Sequence, residues 1–210
     1  MKLTDRLLKI ASLVTEGKRV ADIGTDHGYI PVYLLNKNIV PFAILADVNK
    51  GPLENARKEV RHNNLLDKTD LRLGSGIEVL KKDEVDEVII AGMGGILISE
   101  LLEANKEVAH SVDKLILQPM QAQDELRKYL FSNGYEILNE VLVKEDFRIY
   151  EILEVKYTGK NTEVEDEVYF EVGKKLVENK DELLNEFIDK KIYKYNSIIE
   201  KLDGKTGESV

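Results

Sequence analysis

The chain has 210 residues, a formal net charge of −9 and no cysteine. The length suits one α/β domain with an appendage, and the lack of cysteine excludes disulfides, cysteine-ligated zinc and thiol catalysis. No apolar run is long enough to span a bilayer, no Lys/Arg-led apolar segment opens the chain, and the three histidines lack metal-ligand spacing, so a cytoplasmic protein with no membrane and no metal is expected.

Leu3 to Val14 repeats apolar residues at Leu3, Leu7, Leu8, Ile10, Ala11 and Val14, a helical period. Arg19 to Ile23 reads as a strand. It runs into Gly24-Thr25-Asp26-His27-Gly28, and Tyr29 to Leu35 is again amphipathic. Strand, tight turn and helix form the opening unit of a nucleotide-binding α/β sheet. The glycines allow a sharp bend and a close backbone approach to a ligand. The turn departs from the G-x-G-x-x-G dinucleotide pattern, because Asp26 stands at the second glycine and a carboxylate repels phosphate. A ligand with cationic groups and no phosphate, such as S-adenosyl-L-methionine (SAM), suits this turn better than NAD. A βα turn that binds nothing fits the same pattern.

Further on, Phe42 to Ala46 is a second strand ending at Asp47, and a helix begins near Pro52. Asp70 to Leu73 is a short strand before Gly74-Ser75-Gly76. Asp86 to Ala91 is a strand ending in Gly92-Met93-Gly94-Gly95, followed by a helix from Ile96 to Ala104. Lys114 to Leu117 leads into Gln118-Pro119, and Gln121 to Phe131 is helical. Tyr135 to Lys144 and Phe147 to Tyr157 read as long strands joined at Glu145-Asp146. After the polar linker 158–162 the chain becomes strongly charged and helical. Leu184, Ile188, Tyr195, Ile199 and Leu202 make a coiled-coil-like seam. A break at 178–181 lets two helices fold back on each other, and Gly204 to Val210 reads as a frayed tail. The expected domains are 1–158 and a helical hairpin with tail over 159–210.

The chain resembles the bacterial tRNA (adenine-22-N1)-methyltransferase family from Leu3 to about Leu153. The resemblance rests on Asp22-Ile23-Gly24-Thr25-Asp26-His27-Gly28-Tyr29-Ile30-Pro31, Gly51-Pro52, Arg72-Leu73-Gly74-Ser75-Gly76, Ala91-Gly92-Met93-Gly94-Gly95, Leu117-Gln118-Pro119 and Glu145-Asp146. Thr25, Gly28, Asp47 and Ser75 depart from the residues the family usually carries. The resemblance implies a Rossmann-like class I methyltransferase fold: a mostly parallel seven-stranded sheet, helices on both faces, and a C-terminal helical hairpin. It implies SAM as cofactor, bound by Asp22, Gly24, Thr25, Asp26, Gly28, Asp47, Val48, Gly74, Ser75, Gly76, Ala91, Gly92 and Met93.

Position and chemistry refine these roles. Asp47 ends the second strand about twenty residues past Gly24, where an acid meets ribose hydroxyls. Gly74-Ser75-Gly76 ends the third strand, where an adenine edge could meet a hydroxyl or backbone N–H. The fourth strand ends without the polar-Pro-Pro-aromatic run usual for methylation of exocyclic amines, which points to a ring nitrogen. Such a nitrogen needs orientation more than deprotonation. Attack at adenine N1 leaves a cationic ring, which a carboxylate stabilises. Asp26, His27, Met93 and Gly94 are therefore the catalytic candidates.

Adenine N1 lies on the Watson–Crick edge, so the substrate base must be unpaired or flipped out. Tyr29, Gln118 and Pro119 are candidate base contacts. Lys2, Arg6 and Lys9 share one face of the first helix and form the expected RNA contact; Lys190, Lys191, Lys194 and Lys201 offer a second patch. The reading is a SAM-dependent tRNA adenine-N1 methyltransferase with tRNA as partner, a monomer or weak dimer. A small-molecule methyltransferase with a dimerisation hairpin, or a non-catalytic SAM-binding module, stays open.

Overall fold

The computed structural model describes residues 3–206. Seven strands form one sheet: β1 (Val20–Ile23), β2 (Ala43–Asp47), β3 (Thr69–Leu73), β4 (Glu87–Met93), β5 (Lys114–Pro119), β6 (Tyr135–Glu145) and β7 (Arg148–Tyr157). Their order is β3-β2-β1-β4-β5-β7-β6. The first five are parallel, and β7 runs antiparallel to β5 and β6. This is the mostly parallel seven-stranded sheet that the sequence predicts.

Both faces of the sheet are covered, so its central strands are apolar runs rather than alternating ones. All four residues of β1 are buried. Val20 faces a cluster built with α1 (Asp5–Ser12), α2 (Tyr29–Asn36) and α3 (Lys50–His62), through Ile10, Leu34 and Val60. Ala21 and Ile23 face the opposite cluster, built with α4 (Gly95–Ala104), α5 (Lys106–Ser111) and α6 (Gln123–Ser132), through Ile98, Val108 and Leu126. Alternation along a strand thus sends Asp22 to the α1–α2 side. The same rule puts Gln118 there, two residues beyond Ile116 of that cluster. Helix α5 has no counterpart in the sequence reading; Asn105 caps it by accepting a bond from the Val108 N–H at 3.4 Å.

The C-terminal segment departs from the expected two-helix hairpin. Its first part is two short helices, α7 (Val168–Glu171) and α8 (Lys174–Glu178), separated at Gly173; its second is one long helix, α9 (Leu184–Thr206). α8 packs on β6 instead of along α9. Leu176 and Phe187 close over Leu142, with Leu184 against them. Farther along the expected seam, Ile199 and Leu202 are exposed. Covering the apolar β6 face outweighs zipping two charged helices together. The helix also continues through Gly204 to Thr206, where a frayed tail is expected; the rest of that tail and Lys2 lie outside the described residues.

A buried cation ties this segment to the sheet. Arg127 of α6 is fully buried. Its Nε donates to Glu140 at 2.8 Å, one terminal nitrogen to Glu151 at 2.6 Å and the other to the Phe170 carbonyl at 2.9 Å. Glu140 in turn accepts the Lys175 N–H at 3.2 Å. Removing one partner of such a cluster strands the remaining charges without water. Arg127→Ala is expected to lower the unfolding free energy by about 3–5 kcal/mol in urea denaturation, with protease cleavage rising first in residues 163–183.

Candidate active site

The parallel strands all end on the same side, and their following loops enclose one cleft. At the end of β1 the turn is held down by β2: the N–H groups of Gly24 and Thr25 both donate to the Ala46 carbonyl, at 2.8 and 2.9 Å. Gly24 and Gly28 have φ of 77° and 68°, a left-handed conformation that disfavours other residues. At the end of β2, Asp47 accepts the Asn49 N–H at 2.6 Å, and its carbonyl accepts the Gly74 N–H at 3.0 Å. β2 and the turn after β3 are thereby joined.

The cleft has two lobes. The first, about 320 Å³, is lined by Arg6, Leu7, Asp22, Gly24, Thr25, Asp26, His27, Gly28, Tyr29, Ile30, Ala91 and Gly92. The second, about 120 Å³, is lined by Ile23, Gly24, Asp47, Val48, Gly74, Ser75, Gly76, Met93, Leu97 and Leu101. Gly24 belongs to both, and the Met93 side chain lies across it where a Cβ would otherwise stand. Every position expected to touch a cofactor lines one lobe or the other.

The expected catalytic and substrate positions divide. Asp26 and His27 line the first lobe and Met93 the second. Asp26 is exposed, with its carboxylate 3.6 Å from His27 Nε2. The His27 ring stacks on Tyr29, centroids 5.0 Å apart and planes 8° from parallel. Gly94 lines neither lobe. It and Gly95 meet the loop after β5, where the Gly95 N–H donates to the Gln121 carbonyl at 2.8 Å and the Ala122 carbonyl leaves no room for a Cβ on Gly95. Close packing accounts for Gly95, whereas a Cβ on Gly94 would meet only the Gln121 side chain at ordinary contact distance.

Within the expected basic face of α1, Arg6 is not a free cation. Arg6 turns inward: its guanidinium donates to Gln118 Oε1 at 2.7 Å and lies over the Tyr150 ring at 5.2 Å. The Arg6 N–H donates to Glu145 at 3.0 Å. The Arg6 Nε is buried without a hydrogen-bond partner. Lys9 lines neither lobe. Gln118 and Pro119 are buried and line neither lobe; Gln118 meets the cleft only through Arg6. Helical spacing counts Arg6 among the surface cations; its partners lie 112 and 139 residues away, and no local signal marks Glu145 or Tyr150 as the groups that hold it.

Three carboxylates, Asp22, Asp26 and Asp47, stand along this cleft. Asp22 is nearly fully buried, and burial pushes its pKa up to about 6; the Thr25 hydroxyl opposes this without a well-formed hydrogen bond, and the Asp47 charge adds to it. Thr25 Oγ1 is itself buried and unpartnered. A buried carboxylate and an orphaned hydroxyl suit a ligand bearing a cation and donor groups. They fit the ammonium end of SAM. Asp47 at the second lobe fits ribose hydroxyls, and the Ile23, Val48, Leu97 and Leu101 walls fit an adenine face. No cluster of metal-ligating side chains occurs among the described residues.

Comparisons with known proteins place the chain in a family. The methyltransferase domain family matches residues 3–153. The tRNA (adenine(22)-N(1))-methyltransferase of Bacillus subtilis is 38% identical over 153 residues; these are 73% of this chain but 64% of that enzyme, so the aligned region spans a little under two thirds of its length. The crystal structure of the B. subtilis M1A22 tRNA methyltransferase TrmK is similar with a TM-score of 0.85 at 31% identity, covering 96% of this chain and 88% of that one. The structure of M. capricolum TrmK in complex with S-adenosyl-homocysteine gives 0.82 at 30% identity, with 95% and 88% covered.

The Asp22 carboxyl has a pH signature. Its folded pKa near 6 lies above its ordinary value of 3.8, so the folded state binds the proton more tightly. Its contribution is therefore present in full below pH 3.8 and is lost as pH rises to 6. Asp22→Asn is expected to stabilise the ligand-free protein by about 2–3 kcal/mol at pH 7–8. The gain should vanish below pH 4, as followed by urea denaturation across that range.

Proposed function

We propose, since this chain belongs to the methyltransferase domain family and within it to the bacterial tRNA (adenine-22-N1)-methyltransferases, that it transfers a methyl group from SAM to N1 of adenine 22 in tRNA. The observation that carries this reading is the series of carboxylates along a cleft at the ends of β1 and β2. SAM supplies an electrophilic methyl group on a sulfonium. Asp22 and Thr25 hold its ammonium end, Asp47 its ribose hydroxyls, and Ser75 an edge of its adenine. The cost of the buried Asp22 charge in the free protein is relieved when a cation arrives beside it.

The substrate base enters the first lobe, which Asp26, His27, Tyr29 and Arg6 border. N1 has an in-plane lone pair and needs alignment, not activation. As N1 is alkylated the ring becomes cationic, and the Asp26 carboxylate stabilises that charge or accepts the N6 proton as it becomes acidic. The stacked His27–Tyr29 pair offers an aromatic face for a flipped base. Arg6 acts as a rigid wall, positioned by Gln118, Glu145 and Tyr150. Residues 1–158 form the catalytic unit and 159–210 add contacts to RNA. The protein acts in the cytoplasm as a monomer or weak dimer; no described helix is long and apolar enough to cross a membrane.

Incubation with methyl-labelled SAM and tRNA transcripts, followed by nucleoside mass spectrometry, is expected to yield 1-methyladenosine that disappears when adenine 22 is replaced by guanine. Label on an exocyclic amine, or only on a small molecule, would overturn the reading. In calorimetry, Asp47→Ala is expected to weaken SAM binding about ten- to two-hundredfold, from the roughly 1.5–3 kcal/mol of its charge-assisted bonds. Asp26→Asn is expected to cut turnover while the melting temperature stays unchanged, because that carboxylate is exposed in the free protein.

A further inference from the structure

A second concave site lies where the β6–β7 turn meets α9. The groove is about 630 Å³, walled by Phe147, Arg148 and Tyr150 on the strand side and by Lys190, Lys191 and Lys194 on the helix side. Every charged residue that lines it is basic, in a chain of net charge −9. Two of these cations are committed. Lys190 pairs with Glu186 at 3.0 Å and donates to the Phe147 carbonyl at 2.8 Å, which pins the turn to the helix. Lys191 pairs with Glu171 at 3.1 Å. Arg148 and Lys194 make no ion pair among the described residues.

Phe147 is 75% exposed at the tip of the turn, so its ring contributes little to the core. The Arg148 guanidinium lies over that ring at 5.4 Å. An exposed aromatic ring beside cations that have no ion-pair partner is the chemistry that receives an unpaired nucleotide: the base stacks on the open face and the phosphates meet the charges. The groove also lies next to the cleft. Tyr150 lines the groove, its ring carries the Arg6 guanidinium, and Arg6 lines the first lobe. One layer of side chains separates the two.

We propose that this groove binds an unpaired nucleotide of the tRNA next to the methylated adenine, with its base on Phe147 and its phosphates on Arg148 and Lys194. This rests on the reading of the protein as a tRNA methyltransferase. A base drawn into the first lobe leaves its neighbours at the mouth, and a backbone that runs over the Arg6–Tyr150 wall reaches the groove. The groove lies on the far side of that wall.

The test uses full-length protein and tRNA. Phe147→Ala is expected to raise KM for tRNA about five- to hundredfold, the loss of one stacked base, with kcat and SAM affinity unchanged. Phe147→Trp should restore KM. Arg148→Ala and Lys194→Ala should each reduce the slope of log Kd for tRNA against log salt by about 0.7, one phosphate contact on a single strand. Wild-type KM and salt slopes in all three alanine variants, in a protein that still methylates adenine 22, would sink the groove and leave the function standing. A wild-type protein that methylates no tRNA would sink both.

Discussion

The cleft depends on how β1 ends. A parallel sheet covered on both faces has one open edge, where the strand carbonyl ends stop and the chain has to turn back into a helix. Here that turn is made by Gly24 and Gly28 in left-handed conformations, with two N–H groups anchored on a single carbonyl of β2. The anchoring fixes where the turn leaves the sheet. Asp22, one pleat earlier, is then forced below the turn, into a position where its charge is expensive without a partner. A ligand that brings a cation relieves that cost. Stability is given up in the free protein and recovered on binding.

A second constraint reaches across the chain. Arg6 on α1 touches Gln118 at the end of β5 and Glu145 and Tyr150 on the β6–β7 hairpin. Three elements far apart in sequence are thus drawn to one wall of the cleft. On the other side of the hairpin, the buried Arg127 joins α6, β6, β7 and the segment before α8. The hairpin is held by cations from both faces. Its exposed tip can therefore present Phe147 in a defined place even though the ring itself is free.

Charge illustrates why totals mislead. A net charge of −9 argues against a nucleic-acid partner, yet charge acts locally. The cleft is acidic, which suits a cofactor with no phosphate. The groove beside α9 is basic, which suits a phosphodiester backbone. The two surfaces carry opposite signs, and Arg6 with Tyr150 marks the border between them.

The strand succession, the Gly24–Gly28 turn and the acids Asp22 and Asp47 were legible in the sequence, because each depends on local spacing: apolar runs that end in a turn with glycines or a carboxylate. Seven strands follow from that pattern; the cofactor contacts were implied by the family resemblance. What it could not reveal was the direction of individual side chains. Arg6, grouped by helical spacing with Lys2 and Lys9, is turned into the wall by partners from β5 and β6. The apolar period of residues 184–202 reads equally well as a coiled-coil seam or as a helix that docks at one end; Leu176 and Phe187 meeting Leu142 decided for docking. Local periodicity determines which face of an element is apolar. Only the packed structure decides what covers that face, because the free energy of burial depends on the area that a distant partner removes from water.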